Sequence, residues 1–211
     1  MTLCRPTAHV SPPDGPAGTR RLGNRRGEAA QLDRLAVAHS RLGRFDSAIE
    51  HFKESVDVER GAGNRFGEAI TLSNIGLTYR RAGLLGEAQA AYERALALTR
   101  DIGDDSGTAI ALGLLAELHR ITGRREHAVE LFQQALRADG TAGNRGSYTE
   151  AIHWWGLGSS LQELRQDERA RECWHESARL LHRLGLISAA ERAGIENTPH
   201  PRTPEVVLKN M

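Results

Sequence analysis

The sequence predicts an all-α protein made of stacked antiparallel helical hairpins, about four of them, closed by a short terminal helix. Three observations carry this expectation. A set of residues returns every forty positions, apolar residues fall at helical spacing between the returns, and glycines stand at the joins.

The repeat is legible in several columns. Gly23-Asn24-Arg25 with Gly27-Glu28-Ala29 returns as Gly63-Asn64-Arg65 with Gly67-Glu68-Ala69, and then as Gly103-Asp104-Asp105 with Gly107-Thr108-Ala109. It returns once more at Gly143-Asn144-Arg145, after which two extra residues shift the register and Glu150-Ala151 takes the place of Glu68-Ala69. Gly43, Gly83 and Gly123 keep the same spacing, as do Ala48, Ala88, Ala128 and the shifted Ala170. Phe52, Tyr92, Phe132 and Trp174 follow four residues after each alanine.

Within a unit the apolar residues trace two amphipathic helices, as in Leu72, Ile75, Gly76 and Tyr79, then Ala88, Tyr92, Ala95 and Leu96. Gly43, Gly83 and Gly123 suit the left-handed position that ends a first helix, and Gly63, Gly103 and Gly143 the end of a second. Asp46 is placed to cap the second helix of the first unit. Residues 186–195 supply a closing helix, so the array spans residues 20–197. Residues 1–19, with Pro6, Pro12, Pro13 and Pro16, read as disordered, and residues 198–211, with Pro199, Pro201 and Pro204, as a flexible tail. Arg20-Arg21-Leu22-Gly23 aligns with the end of a second helix whose earlier residues are missing. The array therefore begins in mid-unit, as a fragment of a longer regulator, a misassigned start, or an edge that meets a partner.

Composition narrows the function classes. An apolar content of 39% suits a buried core, and no apolar run approaches the roughly 18 residues of a membrane span. The N-terminus lacks the pattern of a signal peptide, so the expected location is cytoplasmic. Lys and Arg number 28 against 27 Asp and Glu, for a net charge of +1, so no global field draws the chain to nucleic acid or to a membrane. All the basic residues but Lys53 and Lys209 are arginine, which is the mark of a GC-rich genome. Cys4 and Cys173 lie at opposite ends of the chain, unlike a disulfide framework.

The columns resemble the tetratricopeptide repeat, which has a large apolar residue, Leu-Gly and Tyr in its first helix and Ala, an aromatic and Ala in its second. The roles fall on Leu72, Ile75-Gly76, Tyr79, Ala88, Tyr92 and Ala95 in the second unit, and on Leu112, Leu115-Ala116, His119, Ala128, Phe132 and Ala135 in the third. The first unit offers Leu32, Leu35-Ala36, His39, Ala48, Phe52 and Ser55; the fourth offers Trp154, Leu157-Gly158, Leu161, Ala170, Trp174 and Ser177. The unit exceeds the usual 34 residues and lacks the terminal proline. It is similar to the longer variety found in kinesin light chains, Leu-Gly-Asn repeat proteins and bacterial antibiotic-regulatory proteins. The resemblance implies a right-handed superhelix that binds a protein or peptide along its concave groove, or else the sensory portion of a bacterial transcription regulator.

Carried over residue by residue, the family's groove positions fall on Arg34 and Arg41 in the first unit, and on Ser73, Asn74, Arg80 and Arg81 in the second. Glu117 and Arg120 follow in the third, and Trp155, Ser159 and Gln162 in the fourth. Arginine predominates, diluted by Asp33, Glu117 and Glu163, which points to an acidic, extended segment as partner. Asn74 matches the asparagine that clamps a bound backbone in many relatives, an amide being able to donate and accept at once. Its equivalents Arg34, Leu114 and Gly156 leave that clamp incomplete. Trp154 and Trp174 belong to the framework. Trp155 sits in a groove column and is weighed between ligand contact and burial under the terminal helix.

No catalytic, cofactor or metal site is expected. His175-Glu176 is followed by Arg179 where a metalloprotease helix needs a second histidine, no lysine follows a phosphate-binding glycine loop, and Gly156-Leu157-Gly158-Ser159-Ser160 does not fit a nucleophile elbow. His39 and His119 lie two units apart, roughly 20 Å at ordinary helix spacings. His153, Cys173 and His175 share a hairpin without a recognised ligand spacing. The unshielded first face around Leu32 and Leu35 suggests self-association through that edge.

Overall fold

The computed structural model describes residues 16–208, which form ten helices: α1 (Pro16–Arg41), α2 (Phe45–Gly61), α3 (Arg65–Arg81), α4 (Leu85–Asp101), α5 (Asp105–Ile121), α6 (Arg125–Thr141), α7 (Tyr148–Glu163), α8 (Asp167–Arg183), α9 (Ala189–Glu196) and α10 (Glu205–Leu208). Successive pairs α1/α2, α3/α4, α5/α6 and α7/α8 are the hairpins, each packed on the next, with α9 against α8. Odd-numbered helices from α1 to α7 line the concave side of a right-handed superhelix of hairpins, as the repeat pattern predicts. No strand occurs among the described residues.

The joins explain the glycine columns. Gly43, Gly83 and Gly123 end first helices with φ of +74°, +79° and +81°, and Gly63, Gly103 and Gly143 end second helices at +68°, +70° and +72°. A Cβ is unfavourable in this left-handed region. In the fourth unit the first-helix position falls on Arg165, the one non-glycine residue with positive φ, at 61°, among the described residues. The next helix is capped by the residue after the glycine: Asn64 Oδ1 accepts from the Gly67 amide at 3.3 Å and Asp104 Oδ1 from the Gly107 amide at 2.9 Å. The two extra residues of the fourth unit make a turn that carries Gly146, with φ of +81°, and hands the cap to Ser147, whose Oγ accepts from the Glu150 amide.

Packing follows the small-and-aromatic columns. Ala48, Ala88, Ala128 and Ala170 are fully buried, with Phe52, Tyr92, Phe132 and Trp174 beside them. Gly76 lies under the Tyr92 ring, where an added Cβ would stand 2.4 Å from a ring carbon. Gly158 meets the Trp174 indole in the same way, with 2.7 Å to Nε1. The core runs as two clusters, one from α1 to α6 around Phe52, Leu72 and Tyr92, the other from α5 to the C-terminus around Phe132, Trp155 and Trp174.

Three local expectations change. Helix α1 begins at Pro16, inside the segment read as disordered, and passes through Gly23 without a break. Proline fits a first helical turn, where its missing N–H would have no partner anyway, and Gly23 lies inside this helix rather than at a join. The remainder of that segment, residues 1–15, lies outside the described residues. Asp46 does not cap α2, which starts at Phe45 without a side-chain cap; the carboxylate sits in the first turn, facing the positive end of the helix dipole. The closing helix is α9, capped by a reciprocal Ser188–Glu191 box, and it buries Ile195 while Ile187 is buried just before it. The chain beyond Thr198, expected to be a loose tail, turns back onto the array, where Val207 is fully buried.

Candidate protein-binding groove

The concave surface is built from one face of α1, α3, α5 and α7, so its residues recur at forty-residue spacing with the shift of two in α7. Arg41, Asn74, Leu77, Arg80 and Arg81 border one open cavity of about 540 Å³ between the first two units, with Leu208 of α10 at its rim. Asn74 is half-buried there. Arg81 donates from Nη1 to Ser40 Oγ at 3.2 Å and its guanidinium lies 5.8 Å from the Phe45 ring centre, yet the residue stays exposed. Arg80 is half-buried, its Nε shielded without a hydrogen-bond partner among the described residues. Arg34 is exposed on α1.

Farther along, the predicted residues diverge. Arg120 grips Glu117 with two guanidinium nitrogens, at 2.8 and 2.7 Å, and reaches Glu163 at 2.7 Å, where Arg125 also donates at 2.9 Å. Those bonds to Glu117 raise the Arg120 pKa above its ordinary value despite the cost of burial. Glu117 is itself buried. Ser73 and Ser159 turn their hydroxyls back to the carbonyls of Ala69 and Trp155, at 3.1 and 3.0 Å. Gln162 contacts the returning tail: its Nε2 lies 2.7 Å from His200 Nδ1. Trp155 is 1% exposed and packs against Trp174 at 6.0 Å between ring centres, so it forms the wall beneath the groove rather than its surface. The reason is the tertiary fit of α7 against α8, which turns this column inward at the end of the array.

Ile110 and Ile152 escaped the sequence expectation of the groove, and Leu114 entered it only as a missing clamp. Ile110, Leu114 and Ile152 line an apolar cavity of about 230 Å³, backed by Phe132 and bordered by Arg80, Glu117 and Tyr148. Their signal was present, because Ile70, Ile110 and Ile152 form a column of their own, and Ile70 and Ile110 are 47% and 43% exposed. Beside this cavity His153 Nδ1 pairs with the fully buried Asp139 carboxylate at 2.7 Å. Its ring fills the space beside Gly113, where an added Cβ would lie 2.2 Å from Nε2.

The other histidine and thiol of that hairpin go separate ways. His175 Nε2 meets the Glu196 carbonyl at 3.2 Å, and burial pushes the Cys173 thiol up to about 11. Among the described residues no three His, Cys, Asp or Glu side chains gather as metal ligands would. No described helix is long and apolar enough to cross a membrane.

Stacked hairpins around a side-chain-lined groove define a helical repeat protein of the interaction-scaffold class. The tetratricopeptide repeat model matches residues 28–101 and 67–140, together more than half of the sequence, and the chain belongs to that family. Such repeats serve generally as non-catalytic scaffolds that hold protein partners. No curated protein matches the chain in sequence.

Solved structures share the fold at low identity. BtubC (BKLC) from P. vanneervenii superposes with a TM-score of 0.69 at 17% identity, over 86% of this chain and 81% of that one. The nearly identical TPR-like repeats of a kinesin light chain candidate from Podosopora anserina give a TM-score of 0.59 at 16% identity, over 79% and 90%. MamA protein gives 0.53 at 20%, over 82% and 86%.

Proposed function

We propose that the protein holds an extended, acidic segment of another protein in its concave groove, with no catalytic step and no cofactor. The observation that carries this reading is the convergence of Arg41, Arg80, Arg81 and Asn74 on one open cavity. Guanidinium groups suit carboxylates as paired planar donors, and Arg41 and Arg81 are exposed at the cavity. Asn74 is placed to bond a passing backbone. The apolar floor at Ile110, Leu114 and Ile152 adds an anchor for one aliphatic side chain. Arg120 contributes less than its column suggests, because Glu117 and Glu163 already occupy its donors.

Affinity capture from the native cell identifies partners, and their acidic segments can then be titrated into the protein at two salt concentrations. Binding weakens with salt, since exposed charges are screened over roughly 8–10 Å near physiological ionic strength. Arg81→Glu hurts more than Arg81→Ala, because it adds repulsion to the loss of a donor. Asn74→Ala weakens every segment by a similar amount, about 1 kcal/mol, as expected for a contact that reads only backbone. Binding that ignores salt and survives all three substitutions would place the partner on another surface.

A further inference from the structure

The groove already has an occupant. After α9 the chain returns along α7, and each end of that path is tied down. At the C-terminal end of α7 the Gln162 side-chain nitrogen lies 2.7 Å from His200 Nδ1; an amide nitrogen only donates, so the imidazole accepts. At the N-terminal end the Tyr148 hydroxyl donates to the Val206 carbonyl at 2.6 Å. Tyr148 to Gln162 is about 21 Å of helix at 1.5 Å per residue, and the tail follows it as an extended run of about 13 Å from His200 to Pro204 before the α10 turn, the Gln162 and Tyr148 side chains reaching across the remainder. Pro199, Pro201 and Pro204 favour that extended form, so little freedom is lost on docking. Val207 is fully buried in the second core cluster, and Leu208 reaches the rim of the cavity bordered by Asn74, Arg80 and Arg81.

We propose that residues 199–208 are an internal, displaceable ligand of the concave groove, and that the partner is an extended segment of the same chemistry. Such a partner offers a carbonyl to Tyr148, a β-branched side chain to the Val207 site, and carboxylates beyond it. The carboxylates are what let it win. Among the described tail residues lining the arginine-bordered cavity, Leu208 brings an apolar side chain and no carboxylate. Tail docking stands independently of the partner; the partner's chemistry rests on the function proposed above.

The test uses the full chain and two labelled peptides. One carries residues 199–211. The other carries the same residues with Lys209→Asp, Asn210→Asp and Met211→Glu. Both are titrated by fluorescence anisotropy into the wild type, Val207→Asp and Val207→Ala, with circular dichroism confirming the helices. A docked tail lowers the apparent affinity of any competitor by the fraction of molecules left open. Val207→Asp therefore binds the first peptide at least about tenfold more tightly than the wild type does, and Val207→Ala about two- to fivefold more tightly. A peptide that itself carries Val207→Asp fails to compete. Equal binding to the wild type and both variants, or no binding to either folded variant, overturns the internal ligand. If the first peptide behaves as expected but the acidic one binds no better, the tail stands and the acidic partner falls.

Discussion

At Gly76 one absent carbon sets how closely α3 approaches the Tyr92 ring of α4. Any side chain there meets a fully buried aromatic, so Gly76→Leu is expected to cost about 1–3 kcal/mol by overpacking. Thermal unfolding of the variant measures it, and an unchanged midpoint would mean that the ring moves aside freely. This contact was legible in the sequence, because the glycine and the aromatic occupy fixed columns of the repeat. Trp155 was not legible in the same way. Its column faces the groove in the family, and only its packing against Trp174 shows that the fourth unit turns it inward.

Among the elements, the joins differ in one place that can be tested. Arg165 holds the left-handed conformation that Gly43, Gly83 and Gly123 hold in the earlier units. A Cβ in that region costs roughly 1–2 kcal/mol, partly offset by the greater freedom of glycine in the unfolded chain. Arg165→Gly is thus expected to stabilise the array by about 0.5–1 kcal/mol and to raise its midpoint by about 1–4 °C. A lower midpoint would show that the arginine side chain makes contacts worth more than the strain. Capping shows where local rules stop short. The Asn64 and Asp104 caps sit in the repeated column, whereas α2 and α4 start at their own join without a side-chain cap. Asp46 therefore had no cap position to fill.

For the whole molecule the first edge is the open question of assembly. Leu35 is 50% exposed on α1, a helix that packs chiefly against one neighbour, and Leu42 is 68% exposed just past its end. Repeat arrays need their outer faces covered, so we expect concentration-dependent self-association through α1. Sedimentation at tens of micromolar should show a species heavier than the monomer, and Leu35→Glu should remove it. A monomer at every concentration, unchanged by the substitution, would assign the cover of this face to the chain itself. At the opposite end of the array α9 packs on α8, and Ile187 and Ile195 are buried there.

The sequence alone determined the repeat, the number of hairpins, the glycine joins and the small-and-aromatic packing pairs. These features are local to one unit and are written four times over, so each copy checks the others. The tertiary structure decided which groove side chains are free. Arg120 is taken up by Glu163, forty-three positions away, and Tyr148 by Val206, fifty-eight positions away. Such contacts join residues that follow no period. Their partners depend on how the superhelix brings distant turns together, and a pattern of spacings carries no record of that.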